Sequence, residues 1–263
     1  MNIQQRPVGE HLREWRQRRR KSQLDLACQA DISTRHLSFV ETGRALPSRE
    51  MILHLAEELE VPMRERNLLL VSAGYAPMFP ERKLDDPALQ AARAAIDLML
   101  EGQKPYPAFA IDRHWQIVAS NRALQILYEG VAAHLLEPPV NAMRLTLHPD
   151  GMARRIVNLA EWREHMIARL RQQVQLTADP VLADLLREVS EYPAPEAHAP
   201  PRLGEPPIIM QLKIQTSAGL FSFFTTTMVF GSPVDVTLSE LAIECCFAAD
   251  AETDMLVRRV SQS

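Results

Sequence analysis

The chain is poor in cysteine and glycine, and it has no long apolar run. Only three of its 263 residues are cysteines, and Cys28, Cys245 and Cys246 form neither an even disulfide framework nor a metal-ligand spacing. The nine glycines include no GxGxxG or GxxxxGK stretch, which argues against a nucleotide-binding fold. No apolar run reaches the ~18 residues needed to span a membrane, and the polar N-terminus is unlike a secretory signal. These absences predict a cytoplasmic protein without a metal.

The composition is that of a globular protein, but charge is distributed unevenly. Hydrophobic residues make up 46% of the chain and charged residues 24%, and the length suits two domains. Residues 1–75 carry 12 Lys and Arg against 10 Asp and Glu, whereas the remainder carries 17 against 23. A basic cluster near the N-terminus is either a solvated surface or a phosphate-binding surface; it contains Arg13, Arg16, Arg18, Arg19, Arg20 and Lys21.

Residues 22–47 have the apolar spacing of two short helices joined by a turn. Ser22 is the expected N-cap of a helix that begins at Gln23, and Leu24, Ala27 and Cys28 are expected on its inner face. A small residue such as Ala27 allows two helices to cross closely. This half of the stretch predicts the first helix of a helix-turn-helix.

The second half of the stretch predicts the recognition helix. Ser33 is its expected N-cap, and Leu37 and Val40 face inward. Gly43 is the expected C-terminal stop, with Pro47 shortly beyond it. A helix-turn-helix makes DNA the first partner to consider.

The stretch resembles the lambda-repressor-like (XRE) family of DNA-binding domains. One departure is Asp31, where the family often has glycine, but Asp tolerates the left-handed backbone region better than most residues. The residues that carry the resemblance are Ser22, Gln23, Leu26, Ala27, Ile32, Ser33, Ser38, Glu41, Gly43 and Pro47.

Five helices are expected in this DNA-binding head. The first covers residues 8–20 and buries Val8, Leu12 and Trp15, and the two helices of the helix-turn-helix follow. A fourth starts at Ser48, and a fifth follows Pro62. The inward residues of these last two are expected to be Ile52, Leu55, Ala56, Leu59, Leu68, Leu69 and Leu70.

The recognition helix is expected to lie in the major groove with its N-terminal residues nearest the bases. His36 is either a base contact or a solvated surface histidine, and Phe39 either packs on the next helix or touches a thymine methyl. Glu41 is expected to hold the Gly43 turn and not to read a base. Base or near-base contacts are assigned to Ser33, Thr34, Arg35, His36 and Ser38, and phosphate contacts to Gln23, Arg13, Arg16 and Arg44.

The pattern changes after Asp86. A helix is expected over residues 87–100, then two short strands around an Asp112-Arg113 turn, a helix over 122–128 and a longer one over 151–175. A strand pair followed by Asn121 and a helix resembles the opening of a PAS domain. Residues 191–207 hold six prolines and are expected to be irregular.

The last third of the chain is strand-like. Alternation over residues 208–215 and the Phe and Thr of residues 219–230 predict two strands, a third is expected over 241–247, and a last helix starts at Asp250. The predicted fold is an all-α five-helix head followed by an α+β PAS-like domain with an antiparallel sheet and inserted helices. The expected boundaries are 1–80 for the head, 81–105 for a connecting helix and linker, and 106–263 for the second domain.

A second set of motif residues occurs after the head: residues 112–115, Asn121, Asn141, Arg144, His148-Pro149, Trp162, Leu170-Arg171 and the terminal strands. These residues and the order of the parts resemble the MmyB-type ligand-binding domain, which follows an XRE head in a group of bacterial regulators. The resemblance implies a fatty-acyl or similar apolar small molecule as the ligand, and no other cofactor.

The residues that would line such a pocket are mainly apolar, and each is either a ligand contact or a filled core position. The polar anchors expected are Asn121, Arg144 and His148. Arg144 binds either a carboxylate head group of the ligand or an internal Asp or Glu. The apolar candidates are Phe109, Trp115, Ile117, Leu124, Leu127, Phe221, Phe223 and Met228.

The sequence favours a ligand-responsive repressor that binds DNA as a homodimer, and three other interpretations compete with it. An enzyme is disfavoured because no HExxH, GxSxG or similar constellation occurs. A redox switch at Cys245-Cys246 is disfavoured because neighbouring residues of a strand point to opposite faces. The alternative that stays open is a second domain that only dimerises or binds a protein partner, without a small ligand.

Overall fold

The computed structural model describes residues 6–193 and 209–261. The chain forms two compact units: unit 1 runs to Arg82 and includes Pro233–Ser239, and unit 2 contains Lys83–Ser232 and the chain from Glu240 onward. None of the described helices is long and apolar enough to cross a membrane.

The helices lie in both units and the strands in unit 2. The α-helices are α1 Val8–Arg18, α2 Gln23–Gln29, α3 Thr34–Glu41, α4 Arg49–Glu58, α5 Met63–Ser72, α6 Gln90–Gly102, α7 Ala142–Leu147, α8 Leu159–Thr177, α9 Pro180–Glu191, α10 Val236–Ser239 and α11 Ala251–Ser261. The strands are β1 Ala108–Ile111, β2 Ile117–Ser120, β3 Gln211–Thr216, β4 Gly219–Val229 and β5 Ala242–Ala248.

Local capping fixes the helix-turn-helix of unit 1. Ser22 and Asp25 form a capping box at the start of α2, and Ser33 accepts a hydrogen bond from the backbone of His36 at the start of α3. The turn between them places Asp31 at φ +49°, and Gly43 ends α3 at φ +72°. The predicted caps, turn and stop are all present.

The buried face of α2 differs from the prediction. Leu24 is 61% exposed and Cys28 is also exposed, whereas Leu26, Ala27 and Ala30 are buried. In a helix of seven residues the set Leu26, Ala27 and Ala30 fits one face as well as the predicted set does. The remaining expected core of the head is buried, except that Leu68 is only half-buried.

Helices α1 and α3 approach each other closely at Gly9. A Cβ atom built on Gly9 would lie 2.1 Å from the backbone oxygen of Val40, so no larger residue fits without moving one helix. The recognition helix therefore has a fixed position on α1.

Unit 2 is built on a five-stranded antiparallel sheet in the order β2-β1-β5-β4-β3. Directly paired residues of antiparallel strands lie on the same face of a sheet. Phe109 and Thr227 both pair with Glu244, and Thr225 pairs with Cys246, so these five residues share one face. The predicted head and antiparallel sheet with inserted helices are confirmed.

Several boundaries in unit 2 differ from the predictions. Residues 151–158 form turns and a short 3₁₀ segment, so α8 begins at Leu159 and not at Gly151. Arg122–Tyr128 is a 3₁₀ helix. Helix α9 was not predicted, and the proline-rich residues 194–207 and Ile208 lie outside the described residues.

Part of the connection between β4 and β5, Pro233–Ser239, belongs to unit 1. Within that unit Val236 donates its backbone N–H to the Pro80 oxygen, and the buried Asp235 carboxylate forms a 2.9 Å ion pair with Arg82. Thr237 donates its hydroxyl to the backbone oxygen of Arg82. The chain thus leaves unit 2 after β4, contributes Pro233–Ser239 to unit 1, and returns as β5.

Candidate functional site

The N-terminal half of α3 presents polar side chains to solvent. Ser33, Arg35 and His36 are exposed, and Thr34 and Ser38 are half-buried. Leu37 and Val40 on the opposite side are buried in the unit 1 core. The five residues predicted to meet bases are therefore all at least partly accessible to solvent.

The half-buried Phe39 ring contacts two arginine side chains near the N-terminal half of α3. The guanidinium carbon of Arg35 lies 5.3 Å from the centre of the Phe39 ring, and that of Arg44 lies 5.9 Å from it. These distances are those of cation–π contacts, which restrict the orientations of both side chains. The ring thus contacts one predicted base reader and one predicted phosphate contact.

Arg16 is engaged inside the head and does not match the predicted phosphate contact. Its Nε and Nη2 donate to the two Glu41 carboxylate oxygens at 2.6 and 2.8 Å, and its Nη1 donates to the Lys21 backbone oxygen. Arg16 is only 8% exposed. Gln23 donates one amide N–H to the same Glu41 carboxylate at 2.8 Å. Glu41 is structural, but its side chain holds α1 and the start of α2 to α3 and not the Gly43 turn that was expected.

Half of the predicted basic cluster serves the fold. Besides Arg16, Arg19 donates to the backbone oxygens of Leu59 and Glu60, and Lys21 donates to that of Glu58. These contacts satisfy carbonyls at the C-terminal end of α4. The other three residues of the cluster are exposed; they are Arg13, Arg18 and Arg20, of which Arg18 forms a 2.6 Å ion pair with Glu14.

Unit 2 contains an apolar cavity of about 50 Å³ on the sheet face that carries Phe109. Residues from the sheet, the 3₁₀ helix, α7 and α8 surround it. The lining consists of Phe109, Trp115, Ile117, Leu124, Leu127, Ala142, Leu145, Thr146, Met152, Trp162, Met166, Arg169, Leu212, Thr225, Glu244 and Cys246.

One wall of the cavity carries a paired charge. Arg169 donates to the two Glu244 oxygens at 2.7 and 3.4 Å, and Thr227 donates to the same carboxylate at 2.9 Å. The Arg169 guanidinium lies 4.9 Å from the centre of the Trp115 ring, whose Nε1 donates to Gln173. Glu244 is buried, so this hydrogen-bonded ion pair keeps its charge from being isolated.

Two comparisons with protein families match this architecture. Residues 92–260, more than half of the chain, match the profile of the MmyB-like transcription regulator ligand binding domain. Residues 7–69 match a helix-turn-helix domain. The chain belongs to the MmyB-like family of transcription regulators. Both matched families are regulator domains and not enzymes, so this chain is a DNA-binding transcription regulator with a ligand-binding domain. No curated protein matches it.

Five of the predicted pocket residues of this regulator line the cavity: Phe109, Trp115, Ile117, Leu124 and Leu127. Three other apolar candidates do not. The Phe221 and Phe223 rings stack 5.7 Å apart in the core, opposite Ile214 and Leu212 of β3. Met228 alternates with Thr227 and so lies on the other face of β4, and it is 39% exposed near the end of that strand.

Two predicted anchors, Asn121 and Arg144, form hydrogen bonds with other residues of unit 2 and do not line the cavity. Asn121 is buried, and its side chain bonds to the backbone of Leu100, Tyr106 and Ala108, which joins α6 to β1. Arg144 donates to both oxygens of Glu188 at 2.8 and 2.7 Å. Of the two partners considered for Arg144, the structure has the internal carboxylate.

His148 also lies outside the cavity lining. Its Nδ1 accepts a hydrogen bond from the Asp150 backbone, and its ring packs edge-on against Tyr192 and His134. One ligand atom from each of His134, His148 and Asp150 lies within 4.8 Å of the others, a spacing that could hold a metal ion. Because Nδ1 is already an acceptor and Asp150 pairs with Arg154, we assign no metal here.

The polar wall of the cavity, formed by Arg169 and Glu244, was not predicted from the sequence. Glu244 carried a signal, since it is the single charged residue in the apolar strand segment Ala242–Ala248. A buried charge requires a partner, and Arg169 supplies it from α8. Their separation of 75 residues gave no means of finding Arg169 from the sequence.

Proposed function

We propose that this regulator is a repressor whose affinity for its operator responds to a small apolar ligand, such as a fatty-acyl compound, bound in the unit 2 cavity. The observation that carries the proposal is an apolar cavity in the domain that matches the ligand-binding family. Ligand sites are typically concave and apolar with few polar groups. The same proposal includes the domain boundaries: a DNA-binding head of residues 1–80, a connection of residues 81–105 and a PAS-like domain of residues 106–263. It also places the protein in the cytoplasm.

The proposed DNA contacts follow the exposed side of α3. Arg35 is assigned a bidentate contact with guanine, with Ser33, Thr34, His36 and Ser38 at or near base edges. Phosphate contacts are assigned to Gln23, Arg13 and Arg44. Gln23 retains this assignment because its amide has two N–H groups and gives one to Glu41. Arg16 is removed from the set.

The active species is proposed to be a homodimer. One recognition helix reads only a few base pairs, whereas two helices spaced by ~34 Å reach successive major grooves on one side of the duplex. Ligand binding would then shift the population of dimers whose two heads match the half-site spacing.

The cavity must expand to hold an acyl chain. Its volume of about 50 Å³ is far below the ~300 Å³ at the lower end of ligand pockets. Met152 and Met166 line it, and methionine side chains rearrange more easily than branched ones. Occupation therefore requires movement of the cavity lining, which is a property that a ligand-dependent switch needs.

The strands that line the cavity are covalently connected to the DNA-binding unit. Thr225 of β4 and Glu244 and Cys246 of β5 line the cavity. The segment that joins these two strands includes Pro233–Ser239, which belongs to unit 1. A displacement of β4 or β5 on ligand binding would thus act on both ends of a piece of the DNA-binding unit.

Native and denaturing mass spectrometry of the full chain tests the proposal. A dimer with excess mass that is lost on denaturation would establish a ligand and give its mass. Operator titration before and after ligand extraction then tests the response. If neither extraction nor added lipid changes operator affinity, the second domain acts only in dimerisation or partner binding, and the ligand-responsive function is rejected.

A further inference from the structure

The Phe39 ring lies on the recognition helix but does not belong to the core of unit 1. Its helix neighbours Leu37 and Val40 are buried in that core, whereas Phe39 is half-buried. Among the described residues, Phe39 is absent from the partly buried apolar side chains that pack against the core, which are Ile32, Ala45, Met51, Leu53, Ala73 and Tyr75. Core packing therefore does not account for a phenylalanine at this position.

The ring instead contacts two arginines that are assigned to DNA. Arg35 lies one turn earlier on the same face of α3, with its guanidinium carbon 5.3 Å from the ring centre, and that of Arg44 lies 5.9 Å from it. Both arginines are exposed. Arg35 is assigned to a guanine and Arg44 to a phosphate, so a ring that contacts both side chains lies close to the duplex when they bind it.

An apolar ring has one apolar partner in the major groove of unmodified DNA. This partner is the C5-methyl group of thymine, and phenylalanine is among the side chains that contact it. The 5.3 Å between the Phe39 ring centre and the Arg35 guanidinium is less than two base-pair steps of ~3.4 Å each. If Arg35 binds a guanine, the ring therefore reaches the neighbouring base pair and not a distant one.

We propose that Phe39 is a base-reading residue, whose ring contacts the C5-methyl group of a thymine in the base pair next to the guanine bound by Arg35. This inference rests on the proposed DNA contacts, and it adds one residue and one base pair to them. Arg35 supplies hydrogen bonds and Phe39 supplies the apolar contact. Because 5-methylcytosine carries the same methyl group, the pair also distinguishes methylated from unmethylated cytosine at this position.

Selection of random-sequence duplexes by the full-length protein gives the sequence needed for the test. The guanine bound by Arg35 is the one whose replacement no longer matters in Arg35→Ala. We expect a T·A pair beside it in each half-site. Replacing this thymine by uracil removes the methyl group and keeps every hydrogen-bonding group, and operator affinity should fall about fourfold. Uracil at a thymine between the half-sites should have no effect.

Cytosine provides the converse probe. In an operator with a C·G pair at the same position, replacing cytosine by 5-methylcytosine should raise affinity about fourfold. Both probes change one methyl group in the DNA and use the wild-type protein, so they do not depend on the folding of a variant.

The variant Phe39→Ser tests whether this side chain detects the methyl group. It should bind the thymine and uracil operators equally. The matched control Arg13→Ala removes a proposed phosphate contact, so it should weaken binding to both operators and keep the fourfold ratio between them.

The outcomes separate this inference from the proposed DNA contacts. If the wild type binds the uracil operator as tightly as the thymine operator, or if Phe39→Ser keeps the fourfold ratio, Phe39 does not read the methyl group, although the assignment of Arg35 stands. If the wild type selects no sequence, the proposed base contacts are themselves rejected, and this inference with them.

Discussion

Arg16 and Glu41 join the first helix of the DNA-binding unit to the recognition helix through two hydrogen bonds of 2.6 and 2.8 Å. Both side chains are buried, and Gln23 from the start of α2 donates to the same carboxylate. Three helices thus meet at one carboxylate, which fixes the position of α3 relative to α1 and α2.

Removing the Arg16 guanidinium should therefore act on folding. Arg16→Ala leaves Glu41 buried without its cation, and such a loss typically costs about 3–5 kcal/mol. We expect that decrease in the free energy of unfolding, measured by urea denaturation of the full chain. Arg13→Ala changes an exposed arginine of the same helix and should leave the unfolding curve almost unchanged. Equal stability of the two variants would show that the pair contributes nothing.

Arg35 should control which operator sequence is read. Arg35→Ala should lose about 1–3 kcal/mol of discrimination at one base position, because a bidentate arginine–guanine contact is removed. Arg13→Ala should instead weaken all sequences alike and lower the salt dependence of binding. The affinities of the two variants for operator and random DNA, measured by competition at two salt concentrations, distinguish these effects. An equal loss on both DNAs for Arg35→Ala contradicts its assignment.

Phe39 should influence DNA binding without serving the core. Phe39→Leu removes the ring that contacts Arg35 and Arg44, and a cation–π contact at an exposed site is worth about 0.5–1 kcal/mol. We expect operator affinity to fall a few-fold, with little change in melting temperature because Phe39 is only half-buried. Unchanged affinity would show that the ring does not orient the two arginines.

The Arg144–Glu188 pair should make stability depend on acid pH. The hydrogen bonds from Arg144 hold the pKa of Glu188 below its usual value of 4.5. A depressed carboxyl pKa contributes stability above the unfolded value, and that contribution is lost as the pH falls through the folded value. Both side chains are about 40% exposed, so the effect is no more than about 1 kcal/mol.

Glu188→Gln tests this contribution. The variant should be less stable than the wild type at pH 7, and the difference should shrink below about pH 4. Urea midpoints measured between pH 3 and 7 give the difference curve. A constant difference across this range would assign the loss to packing and not to ionisation.

The three cysteines should differ in reactivity. Burial raises the pKa of the Cys246 thiol to about 12 and also raises that of Cys245, whereas Cys28 is exposed on α2. Because the thiolate is the reactive form, Ellman's reagent at pH 8 should modify Cys28 rapidly in the native protein. Cys245 and Cys246 should react only on unfolding. Rapid modification of two or three thiols without unfolding would revive the redox interpretation.

Local signals made the head predictable. The caps Ser22 and Ser33 and the stop at Gly43 act on neighbouring residues, so they could be recognised from the sequence. The prediction of the buried face of α2 was wrong, because a helix of seven residues is too short for periodicity to show whether Leu24 or Leu26 is buried. Helix α9 did carry a signal, since its buried residues Leu182, Leu185 and Val189 recur at helical spacing.

The candidate ligand site was only partly predictable. The cavity-lining apolar residues around Trp115 follow a recognisable strand–turn–strand pattern. The carboxylate that pairs with Arg144 could not be identified in the sequence, because Glu188 is 44 residues away on the helix that was not predicted. Long-range ion pairs of this kind leave no periodic trace in a single sequence.

The return of the chain to unit 1 at Pro233–Ser239 has a consequence for protein engineering. A fragment that ends at Arg82 would leave out the buried Asp235 that pairs with Arg82 and the N–H that bonds to Pro80. A chimaera built by exchanging only the first 82 residues would place a foreign helix α5 against the native residues 233–239. A graft of unit 1 onto another domain therefore has to carry both pieces of sequence.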